Sequence, residues 1–247
     1  MRTVLMLVFA VGLLAACEPK DAEIAPDTEP IDEATTPMLT DDEAANGWMS
    51  LFDGETLNGW RGYKQETVPS SWKAEDGALY FDGGEGGRGD IITERQFANF
   101  ELKLDWKISE CGNSGIFFRV TEDHDATYFT GPEMQVLDNT CHPDAENGLD
   151  RHAGANYALH PPSEDVTKPA GEWNEVHLVV NGPNVEHWLN GTKVVEYELW
   201  TDDWKAMVAS TKFDAWKQYG LNERGHIALQ DHDDPVWFRN VRVKVLD

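Results

Sequence analysis

Glu133 and Gln135 stand two residues apart in the stretch from Gly131 to Asn139, which reads Gly-Pro-Glu-Met-Gln-Val-Leu-Asp-Asn. In an extended strand, side chains alternate between faces. That sets Glu133, Gln135 and Leu137 on one side and Met134, Val136 and Asp138 on the other. A carboxylate and an amide held about 7 Å apart on a rigid sheet can grip neighbouring hydroxyls of a sugar, and the carboxylate can also act as a base. The same alternation describes a solvated outer face over a core, so both readings stand on this stretch.

A second polar row lies near the carboxy terminus. From Gly225 to His232 the alternation sets His226, Ala228, Gln230 and His232 against Ile227 and Leu229. Along an extended strand the two histidines are too far apart to share one metal ion, which excludes a zinc motif built on them. His232, flanked by Asp231 and Asp233, could join a mixed oxygen and nitrogen site for a divalent cation, or be a solvated strand end. In Ile116 to Val120 the alternation predicts Phe117 and Arg119 on one face and Ile116, Phe118 and Val120 on the other. An arginine among aromatics is costly unless it is paired or borders a cleft.

The elements that must position these residues read mostly as strands. Phe100 to Ile108 alternates cleanly, with Leu102, Leu104, Trp106 and Ile108 inward, as a half-buried antiparallel strand does. Trp72 to Phe81 predicts two short strands around an Asp76-Gly77 turn, and Val185 to Leu189 joins Val194 to Tyr197 through Asn190-Gly191. Further strands are predicted at Trp48 to Leu51, Ile91 to Thr93, Glu172 to Val180 and Val236 to Leu246, and one short helix within Thr201 to Trp216. The glycine-rich run Gly83 to Asp90 reads as a flexible loop, because no helix follows it to make a phosphate cradle. Asp138, pointing away from Glu133, is read as a cap for the Asn139 turn, His160 and His187 as structural, and most tryptophans as core.

At the amino terminus, Arg2 precedes an apolar run from Val4 to Ala16 that is too short to span a bilayer and ends in Leu-Ala-Ala-Cys. The segment looks like a bacterial lipoprotein signal over residues 1–16, with lipid on Cys17. Glu18 in place of Asp favours the outer membrane of the cell envelope. Residues 17–45 form an expected acidic tether: Glu18 to Glu43 holds ten acids, one lysine, four prolines and no aromatic residue, too little apolar surface to offset its ordering entropy. The remaining 46–247 suit one domain. With a formal net charge of −25 the chain lacks the basic clusters a nucleic-acid partner requires. Cys111 and Cys141 are a candidate disulfide in an oxidising compartment, with two free thiols as the alternative.

Seven blocks, in order, resemble the family of 3-keto-disaccharide (3-keto-glycoside) hydrolases, formerly a domain of unknown function. They are Leu51-Phe52-Asp53-Gly54 with Gly59-Trp60; Asn113-Ser114-Gly115-Ile116 with Phe118-Arg119; Glu133-Met134-Gln135 with Leu137-Asp138-Asn139; Gly171-Glu172-Trp173-Asn174; His187-Trp188-Leu189-Asn190-Gly191; Gly225-His226-Ile227 with Leu229-Gln230-Asp231-His232; and Phe238-Arg239-Asn240. Asp233 departs from the glycine common in relatives. The resemblance implies an all-β, concanavalin-like jelly-roll sandwich and cleavage of 3-keto-glycosides. A ring ketone at C3 acidifies the C2 proton, so a base can remove it and expel the C1 substituent without the facing carboxylate pair of ordinary glycosidases. On that basis Glu133 or His232 is the base and Arg119 or a divalent cation holds the enolate oxygen, while Gln135, Gln230, Lys212 and Asn113 bind substrate. Oxidoreductases that make the ketone and reduce the product are implied as pathway neighbours. The competing expectation is a carbohydrate-binding lipoprotein without catalysis, since fold alone does not decide activity.

Overall fold

The molecule, a computed structural model, is described at residue 1, residues 39–84 and residues 86–247. The expected signal peptide, Cys17 and most of the expected tether lie outside these residues. All elements below belong to one compact unit, Ala34–Asp247, and the other unit, Met1–Glu33, is described only at Met1.

In chain order the first strands are β1 (Trp48–Ser50), β2 (Trp60–Gly62), β3 (Trp72–Glu75), β4 (Ala78–Phe81) and β5 (Ile91–Thr93). The others are β6 (Phe100–Ile108), β7 (Asn113–Val120), β8 (Glu133–Leu137), β9 (Asn174–Asn181), β10 (Asn184–Leu189), β11 (Thr192–Glu198), β12 (His226–Leu229) and β13 (Val236–Val245). They build an all-β, concanavalin-like jelly-roll sandwich of two antiparallel sheets. One has the order β11-β10-β9-β6-β13-β4-β3 with β1 beside β13, and the other β2-β5-β12-β7-β8.

Alternation explains the core. Phe100, Leu102, Leu104, Trp106 and Ile108 of β6 are buried against Ile116 and Phe118 of β7, Met134 and Val136 of β8, and Ile227 and Leu229 of β12. The Asp76-Gly77 and Asn190-Gly191 turns take the left-handed conformations that tight hairpins need, with φ of 49° and 74° and of 49° and 81°. A disulfide joins Cys111 to Cys141, tying the segment before β7 to the one after β8. Among the described residues no helix is long and apolar enough to cross a membrane.

Three expectations need correction. Val120 does not share a face with Ile116 and Phe118. Opposite β12, Phe117 pairs with Ala228 and Val120 with His226, so three steps face two, and the bulge takes Arg119 to a φ of 53°. Val120 therefore joins Phe117, Ile92 and Ala228 in a separate small cluster. The helix expected within Thr201 to Trp216 is shorter, α2 (Asp202–Ala209). Ser210 and Thr211 turn their hydroxyls back onto the carbonyls of Met207 and Val208, ending it before a 3-10 turn at Lys212–Ala215. The tether's last residues are ordered as a second helix, α1 (Asp41–Ala45). Thr40 and Glu43 form its capping box, and Glu43 pairs with Arg242 on β13 at 2.9 Å.

Candidate active site

Glu133 and Gln135 leave β8 on the side away from the core and form the floor of a pocket of about 320 Å³. Asn113 from the start of β7, and Gln230 and His232 just after β12, complete its sheet side. Gln230 is held there because its backbone N–H donates to the Gly115 carbonyl (3.0 Å) and its carbonyl accepts from the Ser114 hydroxyl (2.9 Å).

The opposite side comes from segments without regular structure. Gly154 to Tyr157 follows the free edge of β8: the Tyr157 N–H donates to the Glu133 carbonyl (3.0 Å), and Gly154 N–H to the Gln135 carbonyl (2.8 Å). Tyr157 thereby stands over Glu133. Its hydroxyl donates to Asp144 (2.9 Å) and accepts from Arg151 Nη1 (2.8 Å) and Lys212 Nζ (3.4 Å). Burial, then the bond to Asp144, pushes the Tyr157 phenol above its usual range. The break after α2 turns Lys212 inward, with its ammonium 4.4 Å from the Tyr157 ring centre. Burial, then Arg151 nearby, lowers the Lys212 pKa.

Glu133 is 6% exposed, and its carboxylate has no hydrogen-bond partner among the described residues. Burial pushes it up to about 8. Lys212 and Arg151 oppose that rise, while the charges of Asp90 and Asp144 add to it. Two buried side-chain carbonyls in the pocket, Asn113 Oδ1 and Gln230 Oε1, have no partner among the described residues. Buried acceptors without donors suit a ligand that brings hydroxyl groups.

Arg119 is not part of this pocket. It is 2% exposed, and its guanidinium donates to the carbonyls of Ala98 (2.9 Å) and Gly182 (2.9 Å) in the segments flanking β6 and β9. The bulge that displaced Val120 carries it there, so it cannot hold an enolate at Glu133. The mixed site expected around His232 also changes composition. Arg88 clasps Asp231 through two bonds, of 2.9 and 2.7 Å, and pairs with Asp233 as well.

Instead, His142, His232 and Asp234 bring ligand-type atoms within 4.8 Å of one another. The Nδ1 of His142 accepts the N–H of Asp144 at 3.0 Å, which places the proton of the neutral ring on Nε2. Of these three, His232 and Asp234 remain as ligands for a divalent cation, each also in contact with Asn113, His232 Nε2 with its side-chain amide (3.4 Å) and Asp234 with its N–H (3.0 Å). Asp138 caps its turn by accepting from the Thr140 N–H (3.0 Å) and hydroxyl (2.6 Å). His187 Nδ1 donates to the Gly154 carbonyl (2.9 Å), and His160 stacks on Tyr197.

Sequence reasoning missed Tyr157, Arg151, Asp144 and the aromatic side of the pocket, made by Tyr128, Phe213 and Trp216. The available signal was the long segment without strands between Leu137 and Asn174, a length that in compact domains usually serves function.

Residues 47–244 match the family of 3-keto-alpha-glucoside-1,2-lyase-like domains. A 3-keto-disaccharide hydrolase of Bacteroides thetaiotaomicron is 42% identical over 231 residues, covering 82% of this chain and 80% of its own. A Parabacteroides distasonis protein assigned as a glycosyl hydrolase shares 36% identity and a TM-score of 0.77, over 85% of this chain and 98% of its own. A second protein of that organism with the same assignment shares 27% identity and a TM-score of 0.66, over 81% and 99%.

Proposed function

The chain belongs to the 3-keto-alpha-glucoside-1,2-lyase-like family, and we propose that it cleaves 3-keto-glycosides, 3-keto-disaccharides among them, by elimination with Glu133 as the base. One observation carries this reading: Glu133 is the only carboxylate among the described residues that line the pocket. Ordinary glycoside hydrolysis needs two facing carboxyl groups. The nearby acids are committed elsewhere, Asp90 to the Thr127 hydroxyl and the Asp231 N–H, and Asp144 to Tyr157 and Asn147.

Glu133 removes the C2 proton, and the C–H electron pair becomes the C2–C3 π bond as the C3 carbonyl π pair moves onto its oxygen, giving an enolate. The ketone reforms as the C1–O bond breaks, leaving a 1,2-ene, and the departing oxygen takes the proton held by Glu133. A carboxylate whose pKa is about 8 is a stronger base than an exposed one, and a desolvated site strengthens the pull of nearby charge. Lys212 takes the electrostatic role at the enolate oxygen that Arg119 cannot fill. Asn113, Gln135 and Gln230 orient hydroxyls. Water adding across the 1,2-ene, its hydroxyl to C1 and its proton by way of His232 to C2, turns elimination into net hydrolysis. Product and substrate chemistry require one oxidoreductase step before this one and a reduction after it.

We also infer lipid anchoring through Cys17 in the envelope, which a Cys17→Ala variant tests by release from the membrane fraction. The test of the chemistry compares a 3-keto-glucoside carrying a chromogenic leaving group with the parent glucoside, for wild type and Glu133→Gln, after chelation and with divalent cations restored. Release from the keto substrate alone, lost in Glu133→Gln, supports the reading, and the cation arm reports whether a metal joins His232 and Asp234. Glycan binding without turnover of either substrate would favour the carbohydrate-binding alternative.

A further inference from the structure

Tyr128 and Trp216 line the same pocket as Asn113, Gln135 and Gln230. Tyr128 is 39% exposed, the one aromatic among the exposed large hydrophobic side chains of the described residues. Its ring centre lies 5.2 Å from that of Trp216, and the two planes meet at 53°, an angled apolar notch.

This notch is held from beneath. Phe129 packs on Trp216 at 4.8 Å and Phe213 at 5.5 Å, while Tyr128 meets Phe129 edge-on at 5.0 Å. Thr127, next in the chain to Tyr128, is bonded to Asp90, and Trp216 closes the same 3-10 turn that carries Lys212.

We propose that Tyr128 and Trp216 form a leaving-group subsite that stacks a flat apolar face, either an aryl aglycone or the apolar face of a second pyranose. This rests on the reading of the pocket as a 3-keto-glycoside site. With the keto sugar's hydroxyls on the polar floor and C2 at Glu133, a C1 substituent directed to the aromatic side of the pocket meets Tyr128 and Trp216. Aromatic rings of this kind favour flat partners by stacking beyond simple area burial.

The test measures kcat/KM of wild type, Trp216→Ala, Trp216→Phe and Tyr128→Ala on methyl, phenyl and glucosyl 3-keto-glucosides. Comparing each variant with wild type on the same substrate cancels intrinsic leaving-group reactivity. Trp216→Ala is expected to lose about tenfold more on the phenyl or glucosyl substrate than on the methyl one, with Trp216→Phe recovering most of it; which of the two loses more identifies the natural leaving group. Equal loss on all three substrates, or no loss on any, overturns the proposal.

Calorimetry of unoxidised phenyl and methyl glucosides keeps the subsite separate from the chemistry. A phenyl preference in wild type that disappears in Trp216→Ala supports the subsite even if no keto substrate is cleaved, in which case the elimination reading alone fails. No phenyl preference in wild type overturns the subsite.

Discussion

The Glu133 carboxylate fills the space that a side chain at Gly115 would need: a Cβ added there would lie 2.2 Å from Glu133 Oε1. Gly115 pairs with Gln135 across β7 and β8, so its missing side chain opens the floor on which the Glu133 carboxylate lies.

Gly115→Ala should therefore separate fold from activity. The clashing atoms belong to the end of a flexible side chain, so melting should change by only about 1 kcal/mol. The carboxylate must move, however, and misplacing a reacting group by about 1 Å can cost on the order of a hundredfold in rate. Turnover and thermal melts of the same preparation check this. A variant as active as wild type would mean that the position of the carboxylate is not critical.

The pH profile should carry the signature of Glu133. A base must be ionised, so kcat/KM should fall as pH drops below about 8. Lys212 lowers the Glu133 pKa, so Lys212→Met should move that limb to higher pH as well as reduce the rate. Stability has the opposite dependence. With a folded pKa raised from 4.5 to about 8, the folded state binds the extra proton between those values, so stability falls as pH rises through that window. Glu133→Gln removes this loss and should melt higher than wild type above pH 8, by on the order of a few kcal/mol. Denaturant titrations at several pH values read the difference.

Arg119→Met should destabilise the fold by about 2–4 kcal/mol, because the carbonyls of Ala98 and Gly182 lose their buried donor. Below the melting range the folded fraction should keep its KM. A raised KM at unchanged stability would return Arg119 to the site.

Reducing the Cys111–Cys141 disulfide should cost about 3–4 kcal/mol, from the loop entropy of its 30-residue separation. The bond anchors Asn113 near one cysteine and His142 next to the other, so activity should fall at a lower temperature than in the oxidised protein. Melts and assays with and without reductant check this.

What the sequence made legible was whatever a period of two governs. The inward row of β6, the two hairpins and the Glu133, Gln135 and Gln230 faces follow from alternation and turn chemistry, because one sheet face is buried and fixes register. Arg119 escaped because one extra residue in β7 breaks that period. Asp231 and Asp233 escaped because their partner, Arg88, lies more than a hundred residues away in a loop. Tyr157, Trp216 and the orientation of Lys212 depend on irregular segments whose course is set by hydrogen bonds to the β8 edge and by the Ser210 and Thr211 helix stop. No local pattern encodes those contacts.

The most direct test of the central claim is the isotope effect at C2. A 3-keto-glucoside carrying deuterium at C2 is compared with its protium form, with wild-type protein at a pH below 8. Proton removal by Glu133 predicts a primary effect on kcat/KM, and in heavy water the hydrated product should carry solvent deuterium at C2, where the 1,2-ene itself has no hydrogen. No C2 isotope effect and no exchange, with leaving-group release intact, would contradict the elimination account and point to direct displacement at C1.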